Sequence, residues 1–199
     1  MQEKTLYFIN SKIVKGILRR MRWQQNAWVS LVPFQHSQSS LASDLSSNFL
    51  ITSNLDHMAA GTDTVGDALC FLMYQISLPE SKTIQDKLCL EFAENKHKTI
   101  DELEYLDVVV KEGLRCFPPI PMSQPRYVPK GGRTISGYYI PEGTIVSCQA
   151  YSVHRLNEDV YPDGDKFIPE RWLETSRSVE MNRLFFAFGM GSRGCTGRQ

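Results

Sequence analysis

Residues 47–77 contain no proline and carry apolar side chains along their whole length. This run constrains the fold more than any other feature, because its length and composition are typical of a single long helix. Pro79 marks the stop, since a proline ring cannot continue a helix. Apolar residues spread evenly along the run predict a helix that is buried on most sides.

Two shorter helical regions are predicted after this run. Residues 79–94 have an amphipathic pattern. Thr99 and Glu102 have the spacing of a capping box, which opens a helical region that reaches Phe117. The pair Pro118-Pro119 ends that region, because the first ring disfavours helix at the preceding residue.

The pattern changes after the second of these prolines. Short strands are predicted at residues 126–128, 133–135, 138–140 and 144–147, the last two forming a pair around the turn Pro141-Glu142-Gly143. Prolines and glycines break residues 157–193, which are predicted to be loop. Loops of this length are usually functional or disordered. Aromatic side chains argue against disorder here, and they are Phe167, Trp172, Phe185, Phe186 and Phe188.

The first part of the chain has no clear secondary-structure pattern. Residues 11–28 show a loose helical pattern with a basic face, for which a solvated surface is favoured over a membrane-surface role. Residues 35–47 are rich in serine and glutamine and are typical of a linker. We therefore expect two parts, a poorly defined segment over residues 1–47 and a folded region over residues 48–199.

Charge and hydropathy exclude several classes of function. The 22 basic and 22 acidic side chains cancel, and without a clustered basic face there is no case for nucleic-acid binding. No window approaches the roughly 20 apolar residues of a membrane-spanning helix. The N-terminus lacks the layout of a secretory signal. For this chain alone, these observations predict an intracellular location without an anchor.

Five scattered cysteines show no metal-binding spacing, since no pair is Cys-x-x-Cys and no histidine lies near one at finger spacing. For four of them (Cys70, Cys89, Cys116 and Cys148) we expect buried free thiols in a reducing compartment. The fifth, Cys195, has a different setting and is considered separately.

Cys195 lies in the stretch Phe188-Gly189-Met190-Gly191-Ser192-Arg193-Gly194-Cys195-Thr196-Gly197. Surrounding glycines permit close backbone approach and unusual φ values, and they let backbone N–H groups point at the sulfur. Arg193 adds positive potential, which favours the thiolate form of a nearby thiol. This pattern indicates a thiolate that faces a flat, bulky ligand, with Arg193 able to pair with a carboxylate of that ligand. The alternative is a structural cysteine in a glycine-rich loop that arose by chance.

Three further motifs precede or support this loop. They are Ala60-Gly61-Thr62-Asp63-Thr64 within the long helical run, Glu112-Gly113-Leu114-Arg115 before the double proline, and Pro169-Glu170-Arg171-Trp172 in the loop region. Taken singly, the first is usually helix packing and the second an exposed ion pair contributing about 0–1 kcal/mol. The motifs become informative when they are considered together, because of the order in which they follow one another along the chain.

In this order the motifs resemble those of the cytochrome P-450 family. The cysteine loop is similar to the family pattern Phe-x-x-Gly-x-Arg-x-Cys-x-Gly at every defined position, and the resemblance extends from about residue 56 to residue 199. It implies a mainly α fold with a small β region, of which this chain is the C-terminal part. The composition around the motifs is similar to fungal members of secondary metabolism.

The resemblance also implies roles for individual residues. Cys195 would be the axial ligand of a haem iron, which the family holds through a thiolate. Thr64 and Asp63 would deliver protons, and Glu112, Arg115 and Arg171 would form a buried structural triad. The remaining cofactor-binding positions are Arg193 and Arg126 on the propionates, with Phe188, Gly191, Gly197 and Gly61 packing against the haem.

The implied reaction inserts one oxygen atom of O₂ into an apolar organic substrate. Electrons would come from an NADPH-dependent flavoprotein reductase, so NADPH acts only indirectly. A full-length parent would lie on the cytoplasmic face of the endoplasmic reticulum membrane. One alternative is a truncated, non-catalytic remnant with weak or no haem binding, since family members are about twice this length or more. A second is a haem-thiolate isomerase or dehydratase, against which the Asp63-Thr64 pair argues.

Overall fold

A computed structural model of the chain describes residues 15–17 and 42–198. Most of the predicted basic helix and of the linker lie outside these residues, as does most of the segment 1–47. Residues 42–47 are an exception, because they are helical where a linker was predicted. The boundary between residues 47 and 48 falls inside this helix and stays a prediction.

Helix α1, Ala42–Ser77, has 36 residues and confirms the long helix. The prediction that it is buried on most sides is wrong, because Met58 and Phe71 are 68% and 54% exposed. Among the described residues, the core contacts come from its C-terminal half, where Leu72 and Ile76 are almost fully buried. Within the described part of the chain, the apolar residues of α1 therefore pack against partners mainly on one side of its C-terminal half.

Two further helices complete the core with α1. The predicted amphipathic helix divides into a 3₁₀ turn, Pro79–Ser81, and helix α2, Lys82–Glu94. Helix α3, Glu104–Cys116, crosses α1 closely, since a Cβ placed at Gly113 would lie 2.8 Å from Leu72 Cδ1. Glycine at the crossing thus lets the two helices meet and bury their facing apolar side chains.

The start of α3 depends on a contact that local sequence does not reveal. The Thr99–Glu102 capping box is confirmed, with the Thr99 N–H donating to Glu102 Oε2 at 2.7 Å, but it caps only a 3₁₀ turn, Ile100–Glu102. The amide groups of Tyr105 and Leu106 donate instead to the carboxylate of Glu91 on α2, at 2.7 and 2.9 Å. A carboxylate at a helix N-terminus satisfies free N–H groups and complements the helix dipole.

Two small antiparallel sheets follow α3. Strands β1, Ser123–Tyr127, and β4, Ile145–Gln149, pair with Arg126 opposite Val146, while β2, Arg133–Ile135, pairs with β3, Tyr138–Ile140. The predicted pairing of residues 138–140 with residues 144–147 is therefore wrong. Ser136 and Gly137 both have positive φ (50° and 87°), as a tight two-residue hairpin turn requires, so β3 folds back on β2.

The region 150–198 is mostly irregular but contains more helix than predicted. Helix α4, Ala150–Val153, and helix α5, Thr175–Leu184, are separated by the 3₁₀ segment Pro169–Leu173, and a last 3₁₀ turn covers Gly191–Arg193. Helix α5 has little apolar periodicity. It is held by Met181, which is fully buried and whose carbonyl accepts the Tyr161 hydroxyl at 2.8 Å.

All five cysteines are free thiols, and their burial differs from the prediction. Cys116 is buried and Cys89 half-buried, whereas Cys70 and Cys148 are exposed. Cys70 lies on a face of α1, and Cys148 in strand β4, that no described element covers. No described helix combines the length and apolar character needed to cross a bilayer.

The Glu91 cap gives a stability prediction. Replacing Glu91 with alanine leaves two amide groups at the start of α3 without their acceptor, so we expect a loss of about 1–2 kcal/mol in the free energy of unfolding. Glu94→Ala, an exposed change on the same helix, is the control and should alter stability by less than about 0.5 kcal/mol. Chemical denaturation of the three proteins provides the measurement, and equal midpoints for the two variants would contradict the cap.

Candidate functional site

The carboxylate of Glu112 on α3 is fully buried and accepts hydrogen bonds from nitrogen atoms of four residues. Arg115 donates from Nε to Oε2 and from Nη2 to Oε1, both at 2.9 Å. Arg171 donates from Nε to Oε1 at 3.1 Å. Trp172 Nε1 donates to Oε2 at 2.8 Å and the Ile168 N–H to Oε1 at 2.9 Å. The structure thus brings the three predicted residues together and adds two nitrogen donors that sequence reasoning missed.

The two guanidinium groups use their remaining donors on backbone carbonyls. Arg115 donates to the carbonyls of His154, Gly164 and Lys166 at 2.9, 2.7 and 2.9 Å. Arg171 donates to the carbonyl of Pro162 at 2.7 Å. Hydrogen bonds from a charged guanidinium group are shorter and stronger than those between neutral groups. They fasten the irregular chain between residues 154 and 172 to helix α3.

The electrostatics of the pair follow from its burial. Burial alone would lower the pKa of Arg115, but hydrogen bonds and charge attraction from Glu112 outweigh it and raise the pKa above the ordinary value. Cys116 lies beside the pair, with Arg115 Nη2 2.9 Å from its sulfur. Burial, with Glu112 as the next cause, raises the Cys116 pKa to about 12, so this cysteine is a neutral thiol at physiological pH.

The loop that carries Cys195 is held by its own backbone. The Cys195 N–H donates to the Phe188 carbonyl at 2.7 Å, which closes the loop. Gly189 and Gly191 have φ values of 66° and 67°, in the region that favours glycine, so residues with side chains would be strained at both positions. The sequence therefore builds a tight loop in which Cys195 itself stays exposed.

A cleft of about 520 Å³ opens beside this loop. Its walls come from α1, α3, strand β1 and the cysteine loop, and its lining includes five of the predicted residues: Thr64, Arg126, Phe188, Arg193 and Cys195. The volume lies within the usual range for small-molecule and cofactor sites. A thiol and two guanidinium groups in a mainly apolar cleft fit a flat apolar group with anionic arms, such as the haem that the sequence predicts.

Other predicted positions lie beside the cleft rather than on its lining. Asp63 is exposed and adjacent to Thr64, whose hydroxyl donates to the Ala60 carbonyl at 2.6 Å. Among the residues that the structure describes, none comes within 4 Å of a Cβ placed at Gly61, so no described element covers the helix surface there. Gly191 and Gly197 shape the cysteine loop without lining the cleft, and Gly197 is buried.

The burial of Glu112 gives a second stability prediction. Glu112→Gln keeps the side-chain size but removes the charge that compensates two buried guanidinium groups, so we expect about 3–5 kcal/mol of lost stability. The matched control is Glu180→Gln, which also faces an arginine three residues later, Arg183, but on the exposed surface of α5. Thermal unfolding should show a large downward shift for the first variant and almost none for the second. Similar shifts would contradict a special role for the buried carboxylate.

Comparisons with known proteins agree with this geometry. The family model for cytochrome P-450 matches residues 12–199. "Cytochrome P-450 monooxygenase orf2" of Aspergillus niger is 39% identical over 71% of this chain and 29% of its own length. "Cytochrome P-450 monooxygenase ACRTS1" of Alternaria alternata is 37% identical over 70% of this chain and 40% of its own length.

A solved structure, that of retinoic acid bound cyanobacterial CYP120A1, is similar in fold, with a TM-score of 0.62 and 28% identity. The match covers 72% of this chain and 33% of that protein. The chain therefore spans about a third of the length of these relatives. With the matched family model, the mainly helical fold and the small sheets, the chain belongs to the cytochrome P-450 family.

Proposed function

We propose that this chain provides the cysteine-ligand side of a haem site in a monooxygenase, with the Cys195 thiolate as axial ligand. The family carries haem held by a cysteine thiolate, and the relatives named above are monooxygenases. The observation that carries the proposal is the position of Cys195. It is exposed on a glycine-shaped loop that lines the cleft, whereas Cys116 is buried and does not line the cleft.

Haem, when bound, supplies the oxygen and electron-transfer chemistry, and a thiolate ligand adds electron density that favours O–O cleavage. The protein's part is to hold that group and exclude competing reactions. Arg126 from β1 and Arg193 from the cysteine loop are exposed cations that line the same cleft, which supports their assignment to the two propionates. Phe188 provides an apolar wall, and Gly61, Gly191 and Gly197 keep the backbone close.

Thr64 and Asp63 are assigned to proton delivery. Thr64 lines the cleft from α1, and its hydroxyl, which here donates to the Ala60 carbonyl, can rotate to turn its proton toward a group bound in the cleft. Asp63 lies at the solvent-exposed side of the same turn. This arrangement supports Thr64 as the group that contacts the reacting atoms and Asp63 as the group that exchanges protons with solvent.

The buried cluster around Glu112 has a structural role in this proposal. Its arginines hold the backbone between residues 154 and 172, and that segment leads into the cysteine loop. The substrate would be an apolar organic molecule, consistent with the apolar part of the cleft lining. The partners would be O₂ and a reductase that takes electrons from NADPH, and the protein would work at the cytoplasmic face of the endoplasmic reticulum membrane.

Ligation is tested by the CO complex of the reduced, haem-loaded protein that contains this chain. Cys195→Ala should abolish the red-shifted Soret band of a thiolate complex, because only a thiolate gives this band. Cys148→Ala and Cys70→Ala, which change exposed cysteines away from the cleft, serve as controls and should retain it. A shifted band in Cys195→Ala would show that another group is the ligand, and no haem uptake by the unchanged protein would favour a non-catalytic remnant.

Proton delivery is tested with Thr64→Ala and a neighbouring control, Thr62→Ala, which changes an exposed threonine on the same helix. The Thr64 variant should bind haem and accept electrons normally but divert them to hydrogen peroxide. Loss of one positioned proton donor typically costs about 10²–10⁴-fold in rate. The ratio of product formed to NADPH consumed is the measurement, and an unchanged ratio would remove Thr64 from the mechanism.

A further inference from the structure

His154 is a fully buried histidine to which the proposed function gives no role. It directly follows α4, and both of its ring nitrogens have backbone partners. Nε2 lies 2.8 Å from the Phe186 nitrogen, and Nδ1 lies 3.0 Å from the Arg115 carbonyl oxygen. An amide N–H can only donate and a carbonyl can only accept, so Nε2 is unprotonated and Nδ1 carries the hydrogen. The two contacts therefore define one neutral form of the ring.

The ring joins the two halves of the site. Arg115 donates back to the His154 carbonyl at 2.9 Å, so these two residues are linked by two hydrogen bonds. On the other side, the Phe186 carbonyl accepts the Gly189 N–H at 3.0 Å, and two residues later the Phe188 carbonyl accepts the Cys195 N–H at 2.7 Å. A short path of hydrogen bonds and backbone thus runs from the Glu112 cluster through His154 to the cysteine loop.

Aromatic packing fixes the plane of the ring. His154 stacks on Phe185, with centroids 5.6 Å apart and planes 16° apart, and meets the edge of Tyr161 at 6.0 Å. Phe185 in turn lies edge-on to Phe188, a residue of the cleft wall. A movement of the imidazole would therefore displace both the backbone and the side chains that lead into the cysteine loop.

We propose that His154 is a positioning residue that sets the place of the segment Phe185–Phe188, and through it the place of Cys195 in the cleft. The inference rests on the proposed function only for the identity of Cys195 as the ligand. Histidine suits this position because it offers a donor and an acceptor on opposite sides of one rigid ring, and few side chains can bridge two backbones in this way.

The surroundings keep the ring neutral. Burial lowers the pKa of His154 to about 4, against the hydrogen bond to the Arg115 carbonyl, which raises it. The charged groups that face it are Arg115 and Glu112 on α3 and Arg155 next in sequence, with Tyr161 at the ring edge. A folded pKa below the unfolded value of about 6.5 means that this contribution to stability is complete above pH 6.5. It is lost as the pH falls toward 4, because a protonated Nε2 would face the Phe186 N–H as a second donor.

Two amide variants separate the two bonds of the ring. His154→Asn places a donor near the Nδ1 position and removes the acceptor for Phe186, whereas His154→Gln places an acceptor near the Nε2 position. In the haem-loaded protein, His154→Asn should lose the thiolate-type CO band at least about tenfold faster than the unchanged protein, as expected for loss of one buried hydrogen bond. His154→Gln should retain most of the band's lifetime.

Hydrogen–deuterium exchange across residues 185–189 is the readout that does not depend on haem. It should speed up in His154→Asn and stay slow in His154→Gln. The control for a general loss of stability is Glu91→Ala, which weakens α3 away from this segment. If His154→Asn loses the band no faster than Glu91→Ala, or exchanges no faster at residues 185–189, the inference is overturned.

Failure of the inference is distinguishable from failure of the proposed function. A thiolate band that persists in Cys195→Ala would overturn both, since the band would then not report on this loop. A band that is lost in Cys195→Ala but has an unchanged lifetime in His154→Asn would overturn the role of His154 alone. Should His154→Asn not fold, His154→Gln decides, because rapid exchange at residues 185–189 in a folded His154→Gln protein would overturn the inference.

Discussion

A carboxylate removed from water costs several kcal/mol unless its lone pairs are filled by donors, and Glu112 meets this condition with nitrogen donors from four residues. Two of these donors are cations that would themselves be costly to bury, so the cluster is stable only when it is complete. Because its members come from α3 and from residues 168–172, completing the cluster also fixes where the irregular C-terminal region lies. The cleft depends on that placement.

The two cysteines of this region differ in their surroundings. Cys116 lies in the buried cluster of charges on α3, and burial keeps its thiol neutral. Cys195 is exposed and lines a cleft together with two exposed arginines. The ligand role proposed for Cys195 needs accessible space and a fixed position at once. A loop with two glycines at positive φ, tied to a rigid cluster behind it, meets both needs.

Local motifs allowed much of this to be predicted. The capping box at Thr99, the long helix and the spacing of Glu112 and Arg115 each depend on residues a few positions apart, where periodicity and short-range hydrogen bonding dominate. The predicted strand pairing is wrong because the hairpin turn is Ser136-Gly137, where both residues adopt positive φ, and not Pro141-Glu142-Gly143. The exposure of α1 was also missed, because an even spread of apolar residues does not tell which faces have partners.

By itself the sequence determined the family, the cysteine loop and the residue types of the site, because these are written in contiguous segments and in the order of the motifs. Only the tertiary structure decided that Trp172 and Ile168 donate hydrogen bonds to the Glu112 carboxylate, that Glu91 caps α3 and that His154 joins Arg115 to Phe186. Those contacts join residues far apart in the chain. Each arises because a buried polar group must find a partner wherever the packed chain brings one within reach.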